Sequence, residues 1–301
     1  MKKISVAMTT YNGEKYIKQQ LLSIFNQSVK PHEVVIIDDG SSDSTTDLIK
    51  DFISQNGIKN WRIEQNKENL GFIVNFKKAI SLTTGDIIFL CDQDDIWRSD
   101  KIEVMLKVFE NKKAEAVSSS FRVIDENGII KDENYENNFG LINLPLKAAL
   151  TSIPAKTVMH CNISPGCTSA LSRKTADIYV NSTDCILPHD FEINLIAAAL
   201  GGLYFLNLPL VDYRIHSSNT LGLTAKPQTR TEIAKEKLLA SKVLYKTNSE
   251  YRSYLTVCEQ RLNALKEKNI FKALKLNFYK EYRLLYSIKE RAGDIINIGG
   301  N

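Results

Sequence analysis

Three carboxylates follow an apolar run within four positions of the sequence. Residues 87–91 read IIFLC, and the segment DQDDIW that follows carries Asp92, Asp94 and Asp95. Like charges this close together repel one another, and burial strengthens the repulsion. We therefore expect a compensating partner beside them: a lysine or arginine side chain, water or a metal ion.

The spacing of Asp92 and Asp94 favours a divalent metal ion. In an extended segment, residues i and i+2 point the same way, and carboxylate oxygens suit Mg²⁺ or Mn²⁺, which typically also bind substrate phosphates. The alternative is a helix start, in which Asp94, Asp95 and Ser99 cap the following helix. Capping accounts for one or two of the acids but not for three behind a buried strand, so we prefer the metal interpretation.

A second acidic pair, Asp38 and Asp39, lies in the segment DDGSSDS. Taken alone, this segment is equally well explained as a turn into a helix, with Asp and Ser as caps. A carboxylate at the end of a strand can also accept a hydrogen bond from a ring N–H of a nucleotide base.

The elements that position these acids alternate between strand and helix. The predicted strands are ISVAMT, EVVIID, WRIEQ, DIIFLC and AEAVSSSF, and the helices between them are EKYIKQQLLSIF, STTDLIKDFISQ, FIVNFKKAISL and KIEVMLKVFE. Such alternation predicts βαβ units and an α/β fold with a parallel sheet covered on both faces. Ligands bind beyond the carboxyl ends of such strands, so TTYN, DDGSSD and DQDD should lie along one edge.

The remainder of the chain predicts a second part. Residues 131–144 are polar and aperiodic, which predicts a loop or an insertion. After them, the sequence predicts a strand at GCTSALS, a helix at PHDFEINLIAAAL and one or two strands at LYFLNLPLVDYRIH. After about Leu223 the pattern is helical to the end. We therefore predict two units, a domain over 1–222 and a helical C-terminal extension over 223–301.

Composition and charge exclude several classes of protein. The hydrophobic fraction of 43%, the charged fraction of 25% and the net charge of +4 are ordinary for a soluble globular protein and do not imply nucleic-acid binding. From Lys226 onward, the chain has sixteen Lys and Arg residues and eight Asp and Glu residues. This excess of positive charge indicates either contact with an anionic surface such as a membrane or a solvated helical face. Five cysteines without a CxxC pair disfavour disulfide scaffolds and zinc ribbons. We expect a cytoplasmic protein with no signal peptide and no membrane span.

The chain resembles the family 2 glycosyltransferases with the GT-A fold. The resemblance rests on four segments that occur in this order: ISVAMTTYNGEKYIKQQLLSIFNQS, EVVIIDDGSSDST, ENLGF and GDIIFLCDQDDIW. The resemblance covers residues 3–220 and is closest to bacterial rhamnosyltransferase-like enzymes of surface polysaccharide assembly. It implies a Rossmann-like, mostly parallel sheet flanked by helices, a nucleotide-sugar donor and Mn²⁺ or Mg²⁺. By position, Asp39 would accept a hydrogen bond from N3–H of uracil or thymine, Asp92 would contact ribose and metal, and Asp94 would bind metal. The further donor-binding candidates are Thr9, Tyr11, Asn12, Asn69 and Asn75.

The resemblance also supplies a catalytic base. In LPHDFEINL, Asp190 stands at the position of the family's catalytic aspartate, where a carboxylate can take the proton of the acceptor hydroxyl in an inverting displacement. The residue-level alternative is a helix N-cap. The family's acidic pair is replaced here by His-Asp, which places His189 among the acceptor-binding candidates. Gly166, Cys167 and Thr168 fall where related chains line the acceptor pocket.

The segment VDYRIHSSN supplies the last candidates. If it is extended, Arg214 and His216 share one face. Arginine can bind a pyrophosphate with two hydrogen bonds, and a neutral histidine can ligate Mn²⁺. The resemblance places both residues beside the donor pyrophosphate, so we predict donor binding by Arg214 and metal binding by His216.

The predicted function is that of an inverting, metal-dependent glycosyltransferase. It would move a sugar from a UDP- or dTDP-sugar to a saccharide acceptor, expected to be lipid-linked, in capsule, O-antigen or cell-wall polysaccharide synthesis. Three alternatives stay open: a nucleotidyltransferase, a magnesium-binding phosphoacceptor signalling domain, and a non-catalytic scaffold that binds lipid. TTYNGEKY has only one glycine and one lysine, which argues against the first, and the separate DQDD segment argues against the second. We expect the C-terminal helices to contact the inner face of the cell membrane peripherally or to form a homo-oligomer.

Overall fold

The computed structural model describes residues 2–132, 149–160, 162–182, 187–217, 229–286, 290–291 and 294. Its first third has the predicted alternation of strand and helix. The elements are β1 (Ile4–Thr10), α1 (Ile17–Phe25), β2 (Glu33–Asp38), α2 (Thr45–Gln55), β3 (Trp61–Gln65), α3 (Phe72–Ser81) and β4 (Ile87–Cys91). The continuous apolar sequences of β1 and β4 explain why both strands are buried along their whole length.

The middle of the chain adds shorter elements. They are β5 (Ile96–Trp97), α4 (Lys101–Asn111), β6 (Ala116–Ile124), β7 (Ile130–Asp132), β8 (Leu150–Ser152), α5 (Ala155–Val158), β9 (Ser169–Ser172), α6 (Arg173–Asn181), α7 (His189–Ala199) and β10 (Leu203–Arg214). In GCTSALS only the last four residues form a strand, because residues 166–168 form a 3-10 turn. Most of the predicted loop over 131–144 lies outside the described residues.

The described strands form one mixed sheet in the order β3-β2-β1-β4-β9-β6-β10-β5, with β7 beside β6 and β8 beside β10. The four strands β3, β2, β1 and β4 are parallel to one another. The strand β9 runs antiparallel to both β4 and β6 and joins this half to the parallel pair β6–β10. The predicted α/β class is confirmed, with antiparallel strands in the second half of the sheet.

The C-terminal part is helical, as the sequence pattern predicts. Its helices are α8 (Arg230–Thr247), α9 (Arg252–Lys266), α10 (Ile270–Leu276) and α11 (Lys280–Leu285). The helix α8 begins at a capping box formed by Thr229 and Glu232 and packs on α7 and α9. The predicted boundary at 222/223 lies outside the described residues. Within the described residues, no helix has both the length and the apolar character needed to cross a bilayer.

Candidate active site

The polar clusters that follow β1, β2 and β4 lie at one edge of the sheet. The strand β1 is parallel to both neighbours, with Thr10 opposite Asp38 and Met8 opposite Cys91. Because the carboxyl ends of the three strands coincide, the segments TTYN, DDGSSD and DQDD emerge side by side. This is the edge at which ligands bind in open α/β sheets.

Asp38 holds this edge together. Its carboxylate accepts hydrogen bonds from the Thr10 hydroxyl (2.8 Å), the Ser41 N–H (2.8 Å), the Ser41 hydroxyl (2.6 Å) and the Gln65 amide (3.1 Å). Both carboxylate oxygens are therefore engaged, and the residue is fully buried. A phosphoacceptor aspartate needs a free oxygen, so this arrangement argues against the signalling-domain alternative.

Asp39 lies within a network of amides. Asn66 donates from its side chain to Asp39 (2.8 Å) and to Asn75 Oδ1 (2.9 Å), and the backbone N–H groups of Leu70 and Gly71 donate to the Asp39 carboxylate at 2.9 Å each. The structure thus brings Asp39 and Asn75 together through Asn66, a residue that the sequence analysis missed. Asn75 is buried and supports Asp39 from behind. Asn69 is exposed on the segment that covers Asp39.

The Gln93 amide connects the DQDD segment to the end of β1. It accepts a hydrogen bond from the Tyr11 N–H (2.8 Å) and donates one to the Tyr11 carbonyl (2.9 Å). The amide lies directly over Gly13, where any Cβ would overlap it. Asn12 has a φ of 47° and is tied to the loop after β2 by its N–H, which donates to Ser41 Oγ (2.8 Å). Tyr11 and Asn12 are exposed at this edge, whereas the Thr9 side chain is buried.

The three DQDD acids lie close together where β4 ends, with Asp95 buried and Asp92 and Asp94 half-buried. Burial, followed by the charges of Asp95, Asp94 and Asp190, raises the pKa of Asp92 well above its usual range. Burial and the charge of Asp94 raise the pKa of Asp95 to about 7. Asp95 Oδ2 has no hydrogen-bond partner among the described residues. The repulsion expected from the sequence is therefore present in the fold.

Lys101 is a cationic partner that the sequence analysis did not identify. It is the first residue of α4 and is 0% exposed. Its Nζ donates to the Cys167 carbonyl (2.5 Å) and lies 3.6 Å from the centroid of the Trp97 ring. Burial lowers the pKa of Lys101 to about 8, and the charges of Asp95 and Asp92 oppose that shift. A buried ammonium thus compensates part of the acidic cluster from beneath.

Replacing Lys101 by methionine should destabilise the fold by about 3 kcal/mol, because removing one partner leaves buried carboxylates uncompensated. Urea unfolding at neutral pH measures the loss. The matched control is Lys107→Met on the same helix, where the ion pair with Glu103 is exposed and its loss should leave the stability unchanged. Equal stabilities of the two variants would show that Lys101 does not compensate the acids.

Asp94 faces away from this buried group and meets His216. The Nε2 atom of His216 lies 2.9 Å from Asp94 Oδ2, and both side chains keep some exposure, 9% and 15% respectively. The ring of Tyr16 packs against the His216 ring with 4.8 Å between centroids. Two of the three predicted metal ligands, Asp94 and His216, therefore contact each other although they come from opposite halves of the chain.

Arg214 is placed differently from the prediction. It is 1% exposed, and its guanidinium donates to the Asp94 carbonyl (2.7 Å), to Gln19 Oε1 (2.6 Å) and to the Asp125 carbonyl (3.2 Å). Its backbone N–H donates to Asp95 Oδ1 at 3.0 Å. The long side chain reaches inward to carbonyls of separate loops, so the geometry favours holding the DQDD segment in place over direct contact with a pyrophosphate.

Asp190 lies in the first turn of α7 and is close enough to Asp92 to raise the pKa of that residue. The N-cap position of α7 is occupied by Pro188, so Asp190 is not the N-cap that the residue-level alternative required. Oδ1 of Asp190 accepts a hydrogen bond from the Phe191 N–H at 2.8 Å. The other carboxylate oxygen of Asp190, Oδ2, takes no part in this hydrogen bond.

His189 and Gly166, both predicted to line the acceptor pocket, contact each other. The His189 ring stacks on Phe76 with 3.9 Å between centroids, and burial lowers its pKa. Neither ring nitrogen has a hydrogen-bond partner among the described residues. A Cβ at residue 166 would overlap Nε2 of His189. The glycine therefore makes room for the His189 imidazole.

Replacing Gly166 by alanine should destabilise the protein by about 1–3 kcal/mol, the usual cost of overpacking. The added methyl group meets a ring that Phe76 holds in place. His189→Ala removes the clash, so a double-mutant cycle by urea unfolding should show a favourable coupling of about 1 kcal/mol between the two substitutions. Strictly additive losses would contradict this contact.

Cys167 and Thr168 require a correction. Both side chains are 0% exposed, and the Thr168 hydroxyl donates to the Pro165 carbonyl at 2.8 Å. Ligand atoms of Cys167, Asp92 and Asp95 lie within 4.8 Å of one another. These two residues lie beneath the acidic segment instead of lining an open acceptor pocket, because the 3-10 turn directs them into the core.

Comparison with known proteins decides the family. The family model described as "Glycosyl transferase family 2" matches residues 5–167, more than half of the chain. The chain belongs to glycosyl transferase family 2. An uncharacterized glycosyltransferase from Haemophilus influenzae is 28% identical over 238 residues, 76% of this chain and 70% of that protein.

Other relatives of this family 2 chain match over shorter segments. An uncharacterized glycosyltransferase from Nostoc sp. is 30% identical over 42% of this chain, and the match spans only 38% of the relative's length. The putative teichuronic acid biosynthesis glycosyltransferase TuaG of Bacillus subtilis is 26% identical over 43% of this chain and 51% of its own length. These matches support membership of the family over the first part of the chain.

Solved structures confirm the GT-A fold predicted for this family 2 chain. Residues 1–349 of TarS from S. aureus, crystallised with UDP-GlcNAc, superpose with a TM-score of 0.63 at 18% identity, covering 98% of this chain and 79% of that one. The mannosyltransferase PcManGT from Pyrobaculum calidifontis, solved with GDP-Man and Mn²⁺, gives a TM-score of 0.54 at 16% identity, covering 100% and 88%. At these identities the likeness establishes the fold alone.

The residues of this family 2 site fit a hard divalent cation. Carboxylate oxygens, such as those of Asp92 and Asp94, and the imidazole nitrogen of His216 are ligand types that suit Mn²⁺; the close group found among the described residues is Asp92, Asp95 and Cys167. Burial and neighbouring carboxylates raise the pKa values of Asp92 and Asp95, and a cation bound beside them would stabilise their ionised forms. The Cys167 thiol is a soft ligand in a fully buried position, so we exclude it from the set.

Proposed function

We propose that this protein is an inverting, metal-dependent glycosyltransferase that uses a UDP- or dTDP-sugar. The observation that carries the proposal is the pairing of Asp94 with His216 at 2.9 Å, at the edge of the sheet where Asp39 follows β2. A divalent cation held by Asp92, Asp94 and His216 would neutralise the charge that develops on the departing diphosphate. The carboxylate of Asp39 would accept the N3–H of uracil or thymine.

The reaction is a single displacement. The acceptor hydroxyl oxygen forms a bond to the anomeric carbon as the bond from that carbon to the nucleoside diphosphate breaks. Asp190 takes the hydroxyl proton on the side opposite the leaving group. His189 is unsuited to this task, because burial lowers its pKa and its ring lies against Phe76 and Gly166.

The acceptor is proposed to be a saccharide on a lipid carrier, in bacterial surface polysaccharide synthesis. A relative named for teichuronic acid biosynthesis supports the polysaccharide class. The rhamnosyltransferase-like specificity and the cytoplasmic location, peripheral at the membrane, are further parts of this proposal. The excess of basic residues after Lys226 supports the location.

A panel of nucleotide sugars with Mn²⁺ tests the proposal on the purified full chain. UDP- and dTDP-sugars should raise the unfolding temperature in the presence of Mn²⁺ and be hydrolysed slowly when the acceptor is absent. Stabilisation by GDP-sugars alone would reject the assignment of Asp39 to a uracil or thymine base. Release of pyrophosphate from nucleoside triphosphates would favour the nucleotidyltransferase alternative.

A further inference from the structure

Residues 271–278, in α10 and the turn that follows it, expose three large apolar side chains. On α10, Phe271 is 81% exposed and Leu274 is 42% exposed, whereas Ala273 and Leu276 on the inner face are buried; Phe278, two residues after the helix ends, is 84% exposed. The spacing i, i+3 puts Phe271 and Leu274 on one side of the helix. Two phenylalanines this exposed beside a leucine form an apolar patch of the kind that marks an interaction site.

The local structure holds this patch outward. Asn269 caps the start of α10 by accepting the Lys272 N–H at 3.0 Å, and the Tyr279 N–H closes its end on the Leu276 carbonyl at 3.0 Å. Ala273 packs with Ala264 of α9 in a small apolar cluster. Turning the phenylalanines inward would expose these inner residues, so exposure of the outer face is built into the packing.

Exposed cations surround the patch. Four of them, together with the three apolar residues, define what we call the basic aromatic face: Phe271, Leu274, Phe278, Lys268, Lys275, Lys280 and Arg283. The neighbouring acid Glu267 is already paired with Lys272 at 2.5 Å. Glu281, a half-buried acid in the first turn of α11, is also nearby, so five basic residues between Lys268 and Arg283 stand against the two acids Glu267 and Glu281.

Charge decides which partner suits this face. A second copy packed on it with twofold symmetry would bring the same cations against one another. Anionic headgroups complement them, and phenylalanine side chains can enter the boundary between headgroups and acyl chains. We propose that the basic aromatic face docks on an anionic lipid bilayer.

The face is connected by direct packing to the candidate active site. The helix α10 packs on α9, α9 on α8, and α8 on α7, which begins with His189 and Asp190. Docking is independent of the transfer reaction proposed above, because it requires neither donor nor metal. It can therefore be tested whether or not that reaction is correct.

Co-sedimentation of the full chain with vesicles tests the docking. The protein should bind phosphatidylcholine vesicles containing phosphatidylglycerol at low salt, bind more weakly at high salt, and fail to bind pure phosphatidylcholine. Phe271→Ser combined with Phe278→Ser should lower the partition coefficient by at least about tenfold, because burial of the two rings is lost. Lys275→Glu combined with Lys280→Glu should also lower it, and only on the anionic vesicles.

The matched control is Leu22→Ser, an apolar residue 50% exposed on α1, which should bind like the unmodified protein. Circular dichroism should show unchanged folding in all variants, since every substituted side chain is exposed. Absence of binding at low salt would overturn the proposal. Binding of both double variants as strong as that of the unmodified protein would also overturn it. A stable dimer in the absence of lipid, lost in the double phenylalanine variant, would assign the face to a second copy instead.

Discussion

Replacing Asp94 by alanine is expected to reduce metal-dependent sugar transfer by at least about 10²-fold, because stabilisation of a leaving group by a bound cation is worth several kcal/mol. The variant should also lose the increase in donor affinity that Mn²⁺ provides. Its fold should persist, since the carboxylate is at the edge of the sheet and its removal relieves repulsion with Asp92 and Asp95. Steady-state kinetics and calorimetric donor titrations with and without Mn²⁺ measure both effects.

The control for this variant is Asp51→Ala, which removes an exposed acid from α2, away from the edge that carries the acids. It should retain full activity and full metal dependence. If Asp94→Ala were as active as the unmodified protein, and active in the presence of a chelator, Asp94 would not be a metal ligand. The pair Asp94–His216 would then have only a structural role.

The edge of the sheet was predictable because its determinants are local. Apolar strands, polar segments directly after them and intervening helices fix a parallel arrangement in which strand ends coincide. The structure accordingly brings Asp39, Asp92 and Asp94 to one edge, with His216 beside Asp94. The last contact joins residues 122 positions apart, and the resemblance to the family, not the local pattern, indicated it.

The supports of the site were not predictable in the same way. A lysine at the start of an amphipathic helix is ordinarily a solvated residue, and only the tertiary fold places Lys101 beneath the acids. Arg214 and His216 are two residues apart, as predicted, but the Arg214 side chain contacts two separate loops and helix α1, which no local pattern connects. Gly166 was unpredictable for a different reason. A glycine in the sequence indicates that another group comes close to the backbone, but it does not indicate which group that is.

Replacing Asp190 by asparagine is expected to slow sugar transfer by at least about 10²-fold, the usual scale for loss of a general base. Asparagine keeps the size of the side chain and can still accept the hydrogen bond from the Phe191 N–H, so α7 should begin as before. Affinity for the nucleotide and for Mn²⁺ should stay near normal, because the residues proposed to bind them, Asp39, Asp92, Asp94 and His216, are all retained. This separation of rate from affinity distinguishes the variant from Asp94→Ala.

Single-turnover kinetics with saturating donor isolate the chemical step, and calorimetric titration gives the nucleotide affinity. The matched control is Asp177→Asn on α6, an exposed acid paired with Arg173, which should leave both quantities unchanged. His189 cannot replace the missing base, since its ring is buried against Phe76 and Gly166 and burial lowers its pKa. Weaker nucleotide binding with a normal rate would instead place Asp190 among the donor contacts and leave the acceptor proton without an assigned base.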